Sequence, residues 1–319
     1  MPGGSQVQVS TVDAMLSRLY GILLNRIILT RSMFMLCQRY GFHITPNHFY
    51  QPVPDTSELK DDLWRKHSEL IGIDLRETSQ LELLRLFASK FKNEYEQFPR
   101  TPTATPYEYY MANSAFVSVD GEILYSMIRH FKPRRIFEIG SGYSTYLSAQ
   151  AVQKNAEEDR GYECELVAFE PYPDEILKAG FPGLSRLVRK KIQDVPVSEF
   201  DKLAQNDILF IDSSHVLKTG SDVHLEYLEI LPRLNKGVIV HTHDIFLPQE
   251  YPKEWVLGRR LFWTEQYVLQ AFLAFNDSFE VLWAGNYMNL KHPDELKKAF
   301  SSYKRNQTLP GSFWTRRKK

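Results

Sequence analysis

Two groups of residues in this sequence have the types and spacing to do chemistry. The first is the string Phe137-Glu-Ile-Gly-Ser-Gly-Tyr-Ser144, where an apolar run carries Glu138 and opens into a turn containing Gly140, Ser141 and Gly142. Glycine admits positive φ and lets a ligand approach the backbone closely. A carboxylate directly before such a turn suits a cationic ligand, such as an ammonium group, and would repel a pyrophosphate. A second apolar run, Val167-Ala-Phe169, is followed by Glu170, where a carboxylate can accept hydrogen bonds from both hydroxyls of a ribose. Asp194, after a third run, could contact an adenine amino group or simply cap the turn before Pro196. A glycine-rich loop alone serves several nucleotide-binding folds. Here Thr145 stands where a dinucleotide fingerprint would place its third glycine, which, with Glu138, disfavours a nicotinamide cofactor.

The second group is spread over two later runs, Asp207-Ile-Leu-Phe-Ile-Asp-Ser-Ser-His215 and Gly237-Val-Ile-Val-His-Thr-His-Asp244. Asp212, His215, His243 and Asp244 all follow strand-like stretches and are the candidate catalytic residues. His215 could serve as a general base, since an imidazole with a pKa near ~6.5 suits proton removal at neutral pH. Alternatively, Asp212, His243 and Asp244 could hold a divalent cation that lowers the pKa of an acceptor hydroxyl. Carboxylates alone favour Mg²⁺, and histidine shifts the preference toward Mn²⁺ or Fe²⁺. Asp212 with both histidines also has the composition of a two-histidine, one-carboxylate iron site, the mark of a non-methylating oxygen enzyme. The structural alternatives are a turn cap for Asp212, backbone amides for Asp244, and a sheet position for His241.

Positioning these groups requires alternating strands and helices. Helices are expected over Asp120 to Phe131, Ser144 to Asn155, Asp222 to Leu231 and Thr264 to Phe275. Strands are expected over Arg135 to Ile139, Leu166 to Phe169, Leu187 to Lys191, Asp207 to Ile211, Gly237 to His241 and Phe279 to Trp283. Such alternation implies a mainly parallel sheet covered on both faces, with ligands at the carboxyl ends of its strands. Tyr251, Trp255 and Trp263 lie in the long segment after the fifth strand and could wall an acceptor pocket.

The order Glu-x-Gly-x-Gly, then a strand-terminal acid, resembles motifs I and II of the class I S-adenosylmethionine (SAM)-dependent methyltransferases. The two Asp/His runs resemble the fourth and fifth strands of one subgroup, the small-molecule and sugar methyltransferases whose fifth strand ends in His-Asp. The resemblance covers about residues 110 to 290, and Gly311 to Arg317 would add the final antiparallel strand. Ser144 departs from the family's commoner third glycine. The resemblance implies a Rossmann-like, doubly wound α/β fold with a mainly parallel seven-stranded sheet. It implies SAM held by Glu138, Gly140, Ser141, Gly142, Glu170 and Asp194. The reaction would be transfer to an O or N atom of a small molecule, sugar or specialised metabolite, at Asp212, His215, His243 and Asp244. Such transfer needs an acceptor aligned with the methyl group and, for oxygen, removal of its proton. A scaffold subunit with no activity is the competing reading outside enzymes; nothing in an idle fold requires Glu138, the glycines and Glu170 together.

Residues 1–105 read as a mostly helical accessory region and 106–319 as the SAM-binding domain, joined by the turn-rich Pro99-Arg-Thr-Pro-Thr-Ala-Thr-Pro106. Ser79-Gln-Leu-Glu82 has capping-box spacing, and Leu84, Phe87, Phe91, Tyr95 and Phe98 recur at helical intervals after it. Three prolines within His43 to Pro54 predict irregular chain there. Val12 to Cys37 is apolar but interrupted by Arg18, Arg26 and Arg31, which argues against a spanning helix or a signal peptide. Its apolar face predicts docking on the protein itself or a homodimer through the N-terminal helices, with peripheral membrane contact as the alternative. Lysine plus arginine and aspartate plus glutamate each number 39, so no net charge draws the chain to nucleic acid. Cys37 and Cys164, the two cysteines, form no metal pattern and suit a reduced cytoplasmic compartment.

Overall fold

The structure, a computed structural model, describes residues 19, 21–22, 26 and 30–319. The apolar segment from Val12, on which the expected docking face lies, is largely outside the described residues. The chain forms two compact units, Met1–Lys60 and Asp61–Lys319. In the first, helix α1 (Arg31–Arg39) is capped by the Thr30 hydroxyl, which accepts from the Met33 amide. Chain from 42 to 47 has no regular structure, as its prolines and aromatics predict.

The second unit opens on a single helical turn, Asp62–Arg65, and its first long helix is α2 (Glu77–Tyr95). The capping box expected at Ser79 is not formed. The helix starts two residues earlier, behind Arg76 in a left-handed conformation, because the Asp74 side chain takes the Arg76 amide and Gln80 reaches back to the Leu75 carbonyl. The apolar face is as expected, with Leu84, Phe87, Phe91 and Tyr95 all buried. Arg129, itself buried, ties this helix to the core through Glu94, 2.8 Å away.

After α2 the chain alternates α3 (Asp120–Phe131), β1 (Arg135–Ile139), α4 (Tyr143–Glu158), β2 (Glu165–Phe169) and β3 (Arg186–Val188). It continues with β4 (Ile208–Ile211), β5 (Ile239–Thr242), α5 (Glu265–Leu273), β6 (Phe279–Ala284) and β7 (Phe313–Arg317). The expected helix after Asp222 runs only to Leu225 before widening into a π-type turn over Glu226–Ile230. The seven strands form one sheet in the order β3-β2-β1-β4-β5-β7-β6, parallel except for β7, which runs antiparallel between β5 and β6. This is the mainly parallel, doubly wound, Rossmann-like sheet the alternation predicts.

Residues of the parallel strands alternate between two cores. Ile136, Leu166, Ile208, Phe210 and Ile239 join the cluster under α2, α3 and α4; Phe137, Val167, Phe169, Leu209 and Val240 join the cluster on the opposite face. Period-two alternation with apolar residues on both faces is what burial under two helical layers demands. Register then aligns the strand ends: Ile139 pairs with Phe169 and Ile211, and Ile211 with Thr242. The residues that follow them therefore meet along one edge. Among the described residues no helix is long and apolar enough to cross a membrane.

Candidate active site

The loop after β1 is shaped by a close approach. Gly140 has φ +85°, and a Cβ there would sit 1.9 Å from the Asp212 carbonyl oxygen, so only glycine fits between β1 and β4. Gly142 is different: a Cβ would meet no atom within 4 Å, leaving its face open for a ligand. Its amide donates to the Thr145 hydroxyl at 3.0 Å, so the residue standing in place of a third glycine caps α4. Glu138 is fully buried; one oxygen accepts the Ser144 hydroxyl at 2.5 Å and the other, Oε2, has no hydrogen-bond partner. Burial pushes this carboxyl up to about 8. The buried Ser141 hydroxyl is likewise unpartnered. Glu170 follows β2, half-buried, and accepts the Tyr172 amide at 2.7 Å. Asp194 lies in a short 3₁₀ turn after β3 and is exposed.

The ends of β4 and β5 carry a charged cluster. His215 Nε2 lies 3.2 Å from Asp212 Oδ1 and 3.5 Å from Asp244 Oδ2, while its Nδ1 is 2.8 Å from Glu265 Oε2. His243 Nδ1 is 3.6 Å from an oxygen of both Asp212 and Asp244, and its Nε2 is 3.5 Å from Asp120. Burial works against charge on both rings, but the surrounding carboxylates hold both histidines well above the usual imidazole range. Asp212 is lowered correspondingly: burial opposes its ionisation, and His243 and His215 overcome it. His215 and Asp244 both have positive φ, +59° and +56°. Non-glycine residues held in that region cost energy and gather at functional sites.

Asp212, His215 and Asp244 each offer one ligand atom within 4.8 Å of the others, a spacing a cation could bridge. Hence it is His215 whose nitrogen joins both aspartates most closely, whereas His243, expected with them, turns its other nitrogen to Asp120. His241 is a sheet residue: fully buried, stacked on Phe210 and bonded through Nε2 to Ser312 at 3.0 Å. A cavity of about 550 Å³ opens beside the cluster, with His243, Asp244, Asp120 and Glu122 along it and Trp255 and Phe98 among its apolar walls.

A family model described as a methyltransferase domain matches residues 137–245, from the loop carrying Glu138 to the residue after Asp244. With the strand order and the Asp/His cluster at the ends of β4 and β5, that match decides the fold. The chain has the class I SAM-dependent methyltransferase fold. An uncharacterized protein of Archaeoglobus fulgidus is 34% identical over 171 residues, covering 51% of this chain and 75% of that protein. Among solved structures, one described as the CmcI-N160 apo-structure aligns over 71% of this chain and 84% of its own, at 16% identity and a TM-score of 0.37. A putative protein-L-isoaspartate O-methyltransferase from Plasmodium falciparum, in complex with S-adenosyl-L-homocysteine, aligns over 53% and 79%, at 15% identity and a TM-score of 0.27. Scores this low carry no argument about this chain.

The methyltransferase fold thus brings the sequence-predicted residues onto one edge, in strand order from Asp194 through Glu170 and Glu138 to Asp212 and His243. The donor set at the loop fits SAM: a buried carboxylate oxygen without a partner beside an open glycine face suits the ammonium of a methionine moiety. The expected aromatic wall divides. Trp255 faces the cavity and Trp263 packs on His215 at 4.3 Å, but Tyr251 turns inward, where its hydroxyl accepts the Gln266 amide. In the segment before α3, Tyr109 is buried and the Tyr110 hydroxyl meets that of Tyr143 beside the glycine loop at 2.9 Å. The terminal basic run is engaged locally: Arg316 pairs with Glu280 and Lys319 with Asp277.

Sequence reasoning missed three carboxylates. Glu265 caps the cluster from α5, and Asp120 accepts the Gly311 and Ser312 amides at 2.8 and 3.0 Å while facing His243. Glu122 is buried along the cavity. Asp120 and Glu122 read in sequence as ordinary acids in a helix's first turn, so no local signal distinguished them.

Proposed function

We propose that this methyltransferase alkylates a hydroxyl oxygen of a small hydroxylated acceptor, with assistance from a divalent cation. The observation that carries the reading is the cavity of about 550 Å³, a size suited to a small molecule, ending on His243 and Asp244 beside the Asp212–His215 pair. SAM, when bound, supplies the electrophilic methyl group. Glu138 Oε2 would take its ammonium, the glycine loop its backbone-facing side, and Glu170 its ribose hydroxyls; Asp194 would reach the adenine edge.

Both nitrogens of His215 are engaged by carboxylates, Nδ1 by Glu265 and Nε2 by the two aspartates. A histidine oriented through one nitrogen by a buried carboxylate, with the other facing acidic oxygens, is the arrangement used to present imidazole to a metal. Asp212, His215 and Asp244 would therefore hold the cation, a mixed N/O donor set compatible with Mg²⁺, Mn²⁺ or Fe²⁺. The cation, when held, lowers the pKa of the acceptor hydroxyl. His243, on the cavity side of the cluster and braced by Asp120, would position that hydroxyl, and the proton it loses would pass to water in the cavity.

The test is calorimetric titration of protein of known metal content with SAM and with NAD⁺, followed by transfer of labelled methyl to a panel of hydroxylated and amino acceptors with Mg²⁺, Mn²⁺ or chelator. Saturable SAM binding with metal-stimulated transfer to hydroxyl acceptors is expected. Stoichiometric iron without SAM binding would replace this reading with oxygen chemistry.

A further inference from the structure

The cavity contains one carboxylate oxygen that the chemistry above does not use. Glu122 is 2% exposed and lines the cavity together with Ser118 and Ser302. Both serine hydroxyls bond to its Oε1, and they lie 2.7 Å from each other. Its second oxygen, Oε2, has no partner. Leaving a buried acceptor unpaired is costly, so such a group in a cavity marks a place where a ligand atom belongs. Asp120, nearby, is already filled by two backbone amides and His243.

We infer that Glu122, held by Ser118 and Ser302, is an acceptor-recognition site that takes a hydrogen bond from a second hydroxyl of the substrate, distinct from the one methylated. The acceptor is then a polyol or glycoside rather than a monofunctional alcohol or an amine. The inference rests on the acceptor cavity assigned above. Burial pushes Glu122 up to about 7, so near neutrality it is divided between ionised and protonated forms. A hydroxyl both donates and accepts, so it satisfies either form. The apolar side of the cavity, with Phe98, Met111 and Trp255, suits the less polar face of a sugar ring or an attached aglycone.

Binding of three probes sharing one aryl group tests this: a 4-nitrophenyl glycoside series, 4-nitroanisole and 4-nitrophenethylamine. Each is titrated by ligand-detected NMR into full-length protein saturated with S-adenosylhomocysteine. At least one glycoside should bind more tightly than the anisole and the amine, and Glu122→Gln and Ser302→Ala should weaken it about tenfold or more. SAM affinity measured on cofactor-free samples of the same preparations should be unchanged, which also certifies folding of each variant. Preference for the amine, failure of every glycoside, or glycoside affinity unaltered in Glu122→Gln would overturn the inference. Loss of SAM binding by the wild-type protein would instead overturn the functional reading beneath it.

Discussion

The two halves of the sheet's carboxyl edge treat their buried acids in opposite ways. After β1, Glu138 stands among neutral partners, with one oxygen on Ser144 and the other on nothing. After β4 and β5, Asp212 and Asp244 are each within 3.6 Å of two histidine nitrogens. Under the proposed function the first half awaits the ammonium of SAM, while the second carries its own compensating charge. A carboxylate that awaits its partner weakens the empty protein and strengthens the complex; a prepaired cluster is rigid beforehand and can hold a reacting group in place.

The largest expected effect separates the halves by function. Under the proposed mechanism, Asp212→Asn should lower methyl transfer on the order of 10³-fold, while SAM affinity by calorimetry stays within about twofold. If cofactor affinity fell in step with turnover, the division between the two halves would not hold.

Next comes a pair of glycines that ought to fail differently. Gly140→Ala places a Cβ against the Asp212 backbone at positive φ, and urea unfolding should show a loss of at least about 3 kcal/mol. Gly142→Ala meets no neighbour, so stability should stay within about 0.5 kcal/mol while SAM binding weakens. Equal destabilisation by both would remove the argument that one glycine serves the fold and the other the ligand.

The smallest effect has an unusual sign. Glu138 is raised by burial from 4.5 to about 8, so its contribution to stability is intact below pH 4.5 and is lost as pH rises through about 8. Glu138→Gln removes that penalty. In the ligand-free protein it should be more stable than wild type by about 1–3 kcal/mol at pH 8, with the difference vanishing near pH 4. The same variant should bind SAM poorly. Thermal unfolding across pH checks the first statement, and a variant less stable than wild type at pH 8 would show that Glu138 is not strained by burial.

The halves also differ in how legible they were. The loop from Phe137 to Ser144 is a local string whose order states its geometry, because a strand, a tight turn and a helix start are consecutive in the chain. Which histidine faces the aspartates is not local. His215 turns toward them because Glu265, 50 residues away, fixes its other nitrogen, and because positive φ at His215 and Asp244 reorients both side chains. His243 also presents Nδ1 to them, slightly farther off at 3.6 Å, while its other nitrogen is held by Asp120, whose own position is set by amides 191 and 192 residues distant. The capping-box reading at Ser79 failed for a related reason: Asp74 and Gln80 close the start of α2 by side-chain bonds that the spacing of Ser79 and Glu82 does not reveal.

By itself the sequence determined the layer architecture, the strand ends and the family resemblance. Apolar period-two runs can be satisfied only between helical layers, and a parallel sheet sends every such run to the same edge. Tertiary structure alone decided the pairing of charges there and placed Glu122, Asp120 and Glu265 beside it. Electrostatic partners are chosen by distance in space, and the residues within reach of one another come from segments whose separation in the chain carries no information about it.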